Sequence, residues 1–479
     1  MTGLGQLLQA RAGDERTRPL LVLEDRHVTY AELAERARRI AWGLRRRVPP
    51  GTAVAMRVAR NDDFAACFFG AMEAGLRVLP LPRGDSDAVV AQKLALAQVE
   101  AAVGDVSIGD AFDVAELEGD GALAPLEGEG DPIALLLPTS GTSGRPKIAC
   151  ISHRSALAHA RALASERLRL GPSDAVLATL PLCHSFGLRM TLLCALMARS
   201  RVLLTHRFDA ERSLAIGHDA TFIAGVPTMF AAWAETRGQA LPRLRYALSA
   251  GAPLAEPTRQ GAEVRLGAEV RQGYGLTEAS FSAIDAPPAA QASGTCGKPS
   301  PGVSIRIQGG EIQVRGANLM EGYLDDADAT RDIFDGGWLR TGDIGELDDA
   351  GRLRVVDRLK DLILCGGHNV VPSQVEQALL AIAGVSAVAV VGPEDARLGQ
   401  TVVAVIVPEP GIDRSALPAN LIELAEAVLP RSHWPRALGF VDALPLGPSR
   451  KVLRRVLRRS IEAGELALVP LSRDGSTPG

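Results

Sequence analysis

Residues 53–79 read AVAMRVARNDDFAACFFGAMEAGLRVL, and their pattern sets the expected fold class. The apolar run 53–58 predicts a strand, residues 62–73 predict a helix, and residues 75–79 predict a second strand. A strand, a helix and a strand in this order form the crossover unit of a parallel sheet. Similar apolar runs return later in the chain, at 175–180, 201–204 and 246–249. We therefore expect an α/β protein.

The flanking sequence predicts how this core is extended. Thr29 and Glu32 have the spacing of a capping box at the start of a helix that reaches Arg46. Short predicted strands between Gly-rich turns indicate a small β subdomain at 297–356. Beyond it, Ser373 and Glu376 resemble a second capping box in an α+β unit.

The expected architecture has two domains and a hinge. A large N-terminal domain of parallel sheets with helices, plus the small β subdomain, is predicted for residues 1–357. A hinge is predicted at 358–360, and a smaller, mobile C-terminal α+β domain at 361–479.

The composition excludes several classes of protein. The chain has 479 residues, 47% apolar and 23% charged, which is typical of a globular protein rather than a disordered one. The net charge of −4 lacks the basic surplus that nucleic-acid binding requires. The six cysteines form no Cys-x-x-Cys pair, so buried free thiols are expected rather than disulfides or a structural metal. Because no apolar run approaches about 20 residues, we expect a cytoplasmic protein without a membrane span.

The lysines are a compositional signal, because only five of the 52 basic residues are Lys. An ammonium is a compact point charge that a planar guanidinium does not mimic, so a site that needs this shape would retain Lys. Lys93, in a predicted surface helix, and Lys298, in a turn, are assigned no chemistry. Lys147, Lys360 and Lys451 stay as candidates.

Lys147 ends the strongest local motif, the loop Pro138-Thr139-Ser140-Gly141-Thr142-Ser143-Gly144-Arg145-Pro146-Lys147. It follows the apolar run 133–137, and its hydroxyl and glycine residues could surround a polyphosphate. The spacing is not that of a Walker loop. A surface turn rich in small residues is the alternative.

This loop resembles the phosphate-binding signature of the adenylate-forming superfamily, which contains acyl-CoA synthetases, luciferases and nonribosomal peptide adenylation domains. The other motifs that carry the resemblance are 272–278 (QGYGLTE), 338–343 (WLRTGD), 357–361 (DRLKD) and 448–452 (PSRKV). Their order spans nearly the whole chain. The resemblance implies a ligase that uses ATP and Mg²⁺.

The resemblance also assigns roles in nucleotide binding. Tyr274 would stack on adenine, Asp343 would accept both ribose hydroxyls, and Arg358 would donate to the ribose or a phosphate. Thr277 would donate to the α-phosphate, and Glu278 would hold Mg²⁺, with a solvated helix-start acid as its alternative. The implied nucleotide-binding residues are Thr139, Ser140, Gly141, Thr142, Ser143, Gly144, Gly251, Ala252, Pro253, Gly273, Tyr274, Gly275, Asp343 and Arg358.

Further roles follow from the resemblance for the C-terminal domain. Lys451 would be a catalytic residue together with Thr277 and Lys147, reaching the substrate carboxylate and the α-phosphate from this domain. Lys360 would be the hinge, and Gly366 and Gly367 would border the route of a thiol. The arginines that follow Lys451 are expected to form mainly a solvent face, which could also meet an acidic cofactor or carrier protein.

Residues 181–187 (PLCHSFG) are similar to the family stretch that borders the acyl pocket, so the resemblance implies His184 as the candidate gate and Gly275 as a further lining residue. A half-buried structural His is the alternative. Members of the family that activate amino acids usually have an Asp soon after this stretch to hold the substrate ammonium, and its absence here disfavours a free amino acid. Arg189 is expected on the outward face of a helix, with pairing to a second substrate carboxylate as the alternative.

The predicted function is therefore an ATP-dependent acid–thiol ligase. It would convert a carboxylic acid to an acyl-adenylate and transfer the acyl group to a thiol, with CoA preferred. The alternatives are the phosphopantetheine of an acyl carrier protein as acceptor, an oxygenase of luciferase type, and a non-catalytic nucleotide-binding regulator.

Overall fold

The structure is a computed structural model that describes residues 3–107, 110–121, 123, 133–139, 146–415, 417–446 and 452–471, without the side chains of Lys360 and Asn369. The strands, in chain order, are β1 Pro19–Val22, β2 His27–Thr29, β3 Ala53–Arg57, β4 Arg77–Pro80, β5 Ala101–Gly104, β6 Asp110–Phe112, β7 Ile133–Thr139, β8 Lys147–Ser152, β9 Ala175–Ala178, β10 Arg201–Leu204, β11 Phe222–Gly225, β12 Tyr246–Ala250, β13 Val270–Leu276, β14 Ser280–Ile284, β15 Lys298–Pro299, β16 Val303–Gln308, β17 Glu311–Gly316, β18 Gly322–Tyr323, β19 Phe334–Asp335, β20 Trp338–Leu347, β21 Leu353–Arg358, β22 Ile363–Cys365, β23 His368–Val370, β24 Val385–Val391, β25 Glu394–Asp395, β26 Gly399–Gln400, β27 Val403–Pro408, β28 Ala437–Phe440 and β29 Leu468–Pro470.

Helices lie between most of these strands. The α-helices are α1 Leu4–Asp14, α2 Tyr30–Arg45, α3 Asn61–Ala74, α4 Asp87–Leu96, α5 Val114–Leu117, α6 His153–Ala162, α7 Cys194–Ala198, α8 Ala210–Ile216, α9 Pro227–Glu235, α10 Glu256–Leu266, α11 Ala327–Ile333, α12 Pro372–Leu379, α13 Leu417–Val428 and α14 Arg454–Glu462. Two π-helices lie at Leu163–Arg167 and Phe186–Leu193, and short 3₁₀ turns lie at Gly217–Asp219, Leu359–Asp361 and Arg431–His433.

Two large sheets contain the predicted parallel strands. The first has the order β15-β14-β13-β12-β11-β9-β10-β1-β2, and its strands β13, β12, β11, β9, β10 and β1 run parallel. The second has the order β18-β8-β7-β4-β3-β5-β6, in which β8 runs antiparallel to both of its neighbours, β7 and β18. The segment 53–79 forms β3, α3 and β4, and β3 pairs with β4 in parallel. The predicted α/β class is confirmed.

Smaller sheets complete the described structure. One has the order β16-β17-β20-β19, with β21 paired to β20, and it corresponds to the predicted small β subdomain. Two more have the orders β23-β22-β26-β25 and β24-β27-β28-β29 and, with α12, α13 and α14, give the predicted α+β arrangement. Among the described residues, none of the helices combines the length and apolar character needed to cross a membrane.

The chain divides into two compact units. The first comprises residues 1–308, 312–341 and 347–354, and the second comprises 309–311, 342–346 and 355–479. The first unit has buried residues on both faces of β3, β9 and β11, as expected for parallel strands covered by helices. The second has a core of its own that includes Val375, Val390 and Leu421. The boundary and hinge predicted at 358–360 stay predictions.

Local sequence explains how α2 and α3 pack. The capping box of Thr29 and Glu32 is present at the start of α2, as predicted. A Cβ at Gly70 would lie 2.8 Å from the carbonyl oxygen of Ala37, so only glycine allows α3 to approach α2 this closely. Three phenylalanines of α3, Phe64, Phe68 and Phe69, are buried in this region.

The second predicted capping box is wrong. Helix α12 has Val371 as its N-cap and Pro372 in its first turn, and no side chain caps it. Proline suits this position because it has no backbone N–H to satisfy. Ser373 instead donates its hydroxyl to the Val356 carbonyl at 2.8 Å. Glu376 accepts from the backbone N–H of Val390.

The contacts of Glu376 also change the interpretation of α14, whose arginines were predicted to form mainly a solvent face. Arg454 donates to both carboxylate oxygens of Glu376, at 2.8 and 2.7 Å, so it is part of the packing rather than of a solvent face. The prediction holds for Arg455 and Arg459, which are exposed.

Candidate active site

Several predicted site segments leave the same edge of the nine-stranded sheet. Strands β9, β11, β12 and β13 are parallel neighbours, so their carboxyl ends lie along one edge. The chain continues from β9 towards His184, from β12 into Gly251–Pro253 and from β13 into Thr277 and Glu278. Ligands of open α/β sheets bind at such an edge. The topology therefore brings these separate motifs together.

The turn Gly251–Pro253 is fixed to the neighbouring strand. Gly251 has a φ of +90°, which favours glycine, and the three residues are exposed. The backbone N–H of Leu254 donates to Oε1 of Gln272 at 3.2 Å. Ala250 pairs with Gly273, so this turn lies beside the start of the Gly-Tyr-Gly segment.

The Gly-Tyr-Gly segment, 273–275, packs tightly against β14. A Cβ at Gly275 would lie 2.1 Å from the carbonyl oxygen of Ser280, which excludes any other residue from this bulged pair of strands. A Cβ at Gly273 would lie 3.1 Å from the Phe281 ring. Tyr274 is buried, with 8% of its surface exposed. The two glycines therefore allow β14 to pack closely against β13, a role additional to the ligand contact expected from the sequence.

Tyr323 joins three of the predicted phosphate-site residues. Its phenol donates to Oε1 of Glu278 at 3.0 Å. The Nζ of Lys147 lies 4.9 Å from the centre of its ring, a cation–π distance. The side chain of Thr139 also lies close to its phenol. Glu278, Lys147 and Thr139 therefore meet around one buried aromatic side chain.

Sheet register explains this convergence. Thr139 at the end of β7 pairs with Lys147 at the start of β8, and Tyr323 of β18 pairs with Ala149 of β8. Side chains two residues apart on a strand share a face, so the face that carries Lys147 also passes beside Tyr323. Sequence reasoning missed Tyr323, because nothing local indicates that the two-residue strand β18 pairs with β8.

The environment keeps the Tyr323 phenol protonated. Burial raises its pKa, and the negative charge of Glu278 and the hydrogen bond that the phenol donates to it raise it further. Tyr323 therefore acts as a hydrogen-bond donor that orients the Glu278 carboxylate. Glu278 is 9% exposed and follows β13 in a turn, so the alternative of a solvated helix-start acid is wrong.

Glu278 suits magnesium bound together with phosphates. Mg²⁺ keeps several waters and takes one or two protein carboxylates beside substrate phosphates. A single oriented carboxylate next to the start of the predicted phosphate loop fits this demand. Within the described ranges, no group of three or more His, Cys, Asp or Glu side chains is arranged to hold a metal by itself.

Some predicted residues cannot be compared with the structure. Ser140, Gly141, Thr142, Ser143, Gly144 and Lys451 lie outside the described residues. Thr277 is described: it is half-buried in the turn between β13 and β14.

In the second unit, Asp343 and Arg358 form a pair. Nε of Arg358 lies 2.9 Å from Oδ1 of Asp343, which is 3% exposed. Gly342 has a φ of +70°, and its backbone N–H donates to Oε1 of Glu311 at 2.9 Å. The two residues predicted to meet the ribose are therefore neighbours.

The thiol-route and hinge candidates also lie in the second unit. Gly366 and Gly367 form the exposed turn between β22 and β23, with φ of +58° and +81°. Two consecutive positive φ values are typical of a tight hairpin turn. The backbone of Lys360 lies in the 3₁₀ turn Leu359–Asp361.

Around His184, the structure corrects the interpretation of Lys93. His184 is half-buried, and its pKa is lowered by burial and then by the positive charge of Lys93. Lys93 forms an ion pair with Asp85, whose side chain is 2% exposed. Lys93 is therefore a paired residue beside the predicted acid gate rather than a solvated surface cation.

Arg189 also differs from its prediction. It lies on the π-helix Phe186–Leu193 and is 2% exposed, so the expectation of an outward-facing residue is wrong. The residues that follow it are also buried, from Met190 to Leu196.

Comparison with known proteins identifies the family that the chain resembles. The AMP-binding enzyme family model matches residues 8–324, and the model of the AMP-binding enzyme C-terminal domain matches residues 374–451. The chain is 34% identical to a feruloyl-CoA synthase from an Amycolatopsis species over 465 residues, covering 90% of this chain and 94% of that protein.

Two other proteins extend the comparison. The chain is 36% identical over 340 residues to the 3-[(3aS,4S,7aS)-7a-methyl-1,5-dioxo-octahydro-1H-inden-4-yl]propanoyl:CoA ligase of Rhodococcus jostii, covering 68% of this chain and 65% of that relative. The o-succinylbenzoate coenzyme A synthetase (MenE) of Bacillus subtilis, in complex with ATP and magnesium ion, superimposes with a TM-score of 0.85 at 29% identity, covering 94% of this chain and 99% of that one.

These matches confirm the resemblance predicted from the motifs, including its link to acyl-CoA synthetases. They span both the N-terminal and the C-terminal part of the chain. The protein therefore belongs to the AMP-binding, adenylate-forming enzyme family.

Proposed function

We propose that the protein is an ATP-dependent acid–CoA ligase. The substrate carboxylate attacks the α-phosphorus of ATP, pyrophosphate leaves, and an acyl-adenylate forms. The thiol of CoA then attacks the acyl carbon, loses its proton, and AMP leaves. The observation that carries the proposal is the meeting of Thr139, Lys147 and Glu278 around Tyr323, which suits a triphosphate with its cation.

The phosphate end of the site uses charge and hydroxyl groups. Lys147 places an ammonium beside the end of the loop 140–145, and Thr139 supplies a hydroxyl at its start. Both can neutralise or hydrogen-bond phosphate oxygens during in-line displacement. Thr277 is proposed to donate to the α-phosphate.

Glu278 is the residue proposed to hold Mg²⁺. When bound, this ion would offset charge on the phosphates and so stabilise the departing pyrophosphate. The phenol of Tyr323 keeps one carboxylate oxygen oriented and leaves the other for the metal.

Nucleoside recognition is proposed for two sets of residues. Asp343 and Arg358 form an ion pair with each other, and on nucleotide binding part of this contact would be replaced by hydrogen bonds to the ribose hydroxyls. The segment 273–275 and the turn Gly251–Pro253 would border the adenine.

The acid and the thiol complete the proposal. His184 and Gly275 would border the acid, and Lys451 would contact the reacting carboxylate and α-phosphate. Lys360 would act as the hinge that exchanges the adenylation arrangement for one in which Gly366 and Gly367 border the thiol. Because ATP and CoA are cytoplasmic metabolites, we propose that the reaction takes place in the cytoplasm.

A carrier protein is the second candidate acceptor. Arg455 and Arg459 are exposed on α14 and would suit the acidic surface of a phosphopantetheine-bearing domain. The same assay separates the two acceptors.

A panel of carboxylic acids tests the proposal. Pyrophosphate release is measured for each acid with ATP and Mg²⁺, first alone, then with CoA, then with a phosphopantetheinylated carrier protein. Acid-dependent release that CoA accelerates, together with the acyl-CoA product, is expected. Release accelerated only by the carrier would favour the second acceptor, and silence across chemically varied acids would favour a non-catalytic nucleotide-binding protein.

A further inference from the structure

Arg189 is a buried cation for which the described residues provide no counterion. It is 2% exposed, and Nε and both terminal nitrogens of its guanidinium have no hydrogen-bond partner among the described residues. A buried charge without a partner is costly, and removing one half of a buried ion pair typically destabilises a protein strongly. The orphaned guanidinium therefore needs an explanation.

The neighbouring titratable groups do not supply a negative charge. His159 accepts from the backbone N–H of Phe281 through Nε2, and burial, with the charge of Arg189, holds its pKa well below the usual range. His159 is therefore neutral. Burial raises the pKa of the Cys194 thiol to about 12, so it stays protonated. Burial lowers the pKa of Arg189 only to about 10, which leaves it cationic near neutral pH.

Arg189 is connected by direct packing to the proposed site. Phe186, three residues earlier on the same π-helix, contacts Phe281 with ring centres 4.8 Å apart. Phe281 lies against Gly273, the first residue of the Gly-Tyr-Gly segment, and its backbone binds His159. The wall that carries Arg189 is therefore continuous with β13 and β14 at the carboxyl edge of the sheet.

The same helix is fixed to the turn that presents His184. A Cβ at Gly187 would lie 2.3 Å from the carbonyl oxygen of Pro181, so the helix and this turn are in contact. The backbone N–H of Leu188 donates to the carbonyl oxygen of His184 at 2.9 Å. Single π-helical turns occur frequently at functional sites. The acid gate and the orphaned cation thus belong to one short segment.

We propose that Arg189 binds a second carboxylate of the acid substrate, so that the preferred substrates are dicarboxylic acids. This inference rests on the proposed ligase function. One carboxylate would be adenylated, while the other would accept two parallel hydrogen bonds from the guanidinium, the geometry in which Arg is superior to Lys. The substrate would then supply the counterion that the described protein residues do not.

The first experiment uses the unmodified protein and pairs of acids. Succinate, glutarate, adipate and phthalate are compared with their monomethyl esters, which keep the shape and remove one charge. For at least one pair, the diacid should have a kcat/KM for pyrophosphate release about 10- to 100-fold higher than its ester, the size of a lost charged hydrogen bond. Esters or simple monoacids that equal or exceed every diacid would overturn the inference and leave the ligase function intact.

Failure of the ligase function gives a different result. In that case no acid of either kind produces pyrophosphate, and both proposals fall together. An acid that carries a sulfonate in place of the second carboxylate is included, because a sulfonate could also bind the guanidinium. A preference confined to the sulfonate would overturn the dicarboxylate assignment.

Variants test the residue itself. Arg189→Met should abolish the preference for the diacid over its ester while retaining activity on the ester, and Arg189→Lys should retain part of the preference. The unfolding midpoint of the ligand-free protein should not fall in Arg189→Met, because an uncompensated buried charge has been removed. A lower midpoint with equal loss of activity on diacid and ester would show a merely structural role and overturn the inference.

Discussion

The phenol oxygen of Tyr323 lies 3.0 Å from Oε1 of Glu278, although 45 residues separate them in the sequence. This bond fixes the orientation of the carboxylate proposed to hold Mg²⁺. The Tyr323 ring also lies against Lys147, the cation proposed to meet the phosphates. One side chain therefore supports both charged groups of the phosphate site.

Removing only the phenol oxygen separates these two contacts. Tyr323→Phe keeps the ring beside Lys147 and deletes the hydrogen bond to Glu278. We expect kcat/KM for acid-dependent pyrophosphate exchange to fall about 10-fold, with a higher Mg²⁺ concentration at half-maximal rate, because a hydrogen bond to a charged group is lost. A titration with Mg²⁺ at fixed ATP measures both effects.

Tyr246→Phe is the matched control. Tyr246 is also buried, and its hydroxyl has no hydrogen-bond partner among the described residues. The same deletion there should leave the Mg²⁺ dependence unchanged. If the two variants show the same Mg²⁺ dependence, Tyr323 has no role in orienting Glu278.

Lys451 should be required for one half-reaction only. Two unit charges about 4 Å apart at an effective dielectric near 20 interact by roughly 4 kcal/mol, on the order of three powers of ten in rate. Lys451→Ala should reduce acid-dependent pyrophosphate exchange by about this factor and leave thioester formation from supplied acyl-adenylate. Exposed Lys298 provides the control Lys298→Ala, which should change neither rate. Exchange at the normal rate in Lys451→Ala would refute the catalytic role.

The proposed hinge at Lys360 can be locked. Proline fixes φ near −65°, so Lys360→Pro should hold the chain in one of the two arrangements that the half-reactions require. We expect adenylation or thioester formation to fall about 100-fold or more while the other stays within a few-fold, by analogy with other conformationally gated steps. Lys360→Ala removes the side chain without fixing φ and should spare both. Equal loss of both half-reactions in the proline variant would argue against a hinge.

Features that depend on local sequence were predictable, and features that depend on distant pairing were not. The crossover unit at 53–79 and the capping box of Thr29 and Glu32 follow from spacing within one element, and both are present. The position of Tyr323 beside Glu278 and Lys147 depends on the pairing of β18 with β8. The burial of Arg189 depends on which face of a π-helix packs inward. The motif 373–376 had the right residues for a capping box, but Pro372 already occupies the first helical turn.

The raised pKa of Glu73 predicts that the stability of the first unit depends on pH. Burial raises its pKa from 4.5 to about 7, although Gln9 donates to Oε1 at 2.7 Å. Between these values the folded state binds more protons than the unfolded state, so the free energy of unfolding decreases as pH rises from about 4.5 to about 7. The total loss is about 1 to 3 kcal/mol. Below about pH 4.5, Glu73 does not change the free energy of unfolding with pH.

Glu73→Gln removes this titration. Relative to the variant, the unmodified protein should lose stability as pH rises from about 4.5 to about 7, as measured by the unfolding midpoint at each pH. Exposed Glu235 gives the control Glu235→Gln. The difference in unfolding midpoint between this variant and the unmodified protein should not reproduce the pH-dependent change expected for Glu73→Gln. A constant difference for Glu73→Gln would show that Glu73 titrates normally in the folded state.

Arg454 and Glu376 should stabilise the second unit as a pair. Glu376 accepts three hydrogen bonds from Arg454, and burial raises the pKa of Glu376 even though Arg454 opposes that rise. Arg454→Met would leave a buried carboxylate without its counterion and should lower the free energy of unfolding by about 3 kcal/mol near neutral pH. Arg455→Met, at the exposed neighbouring position, should cost less than about 0.5 kcal/mol. The double variant Arg454→Met/Glu376→Met removes both charges, so it should recover part of the lost free energy of unfolding. If its loss equals the sum of the losses in the two single variants, the two side chains do not act as a pair.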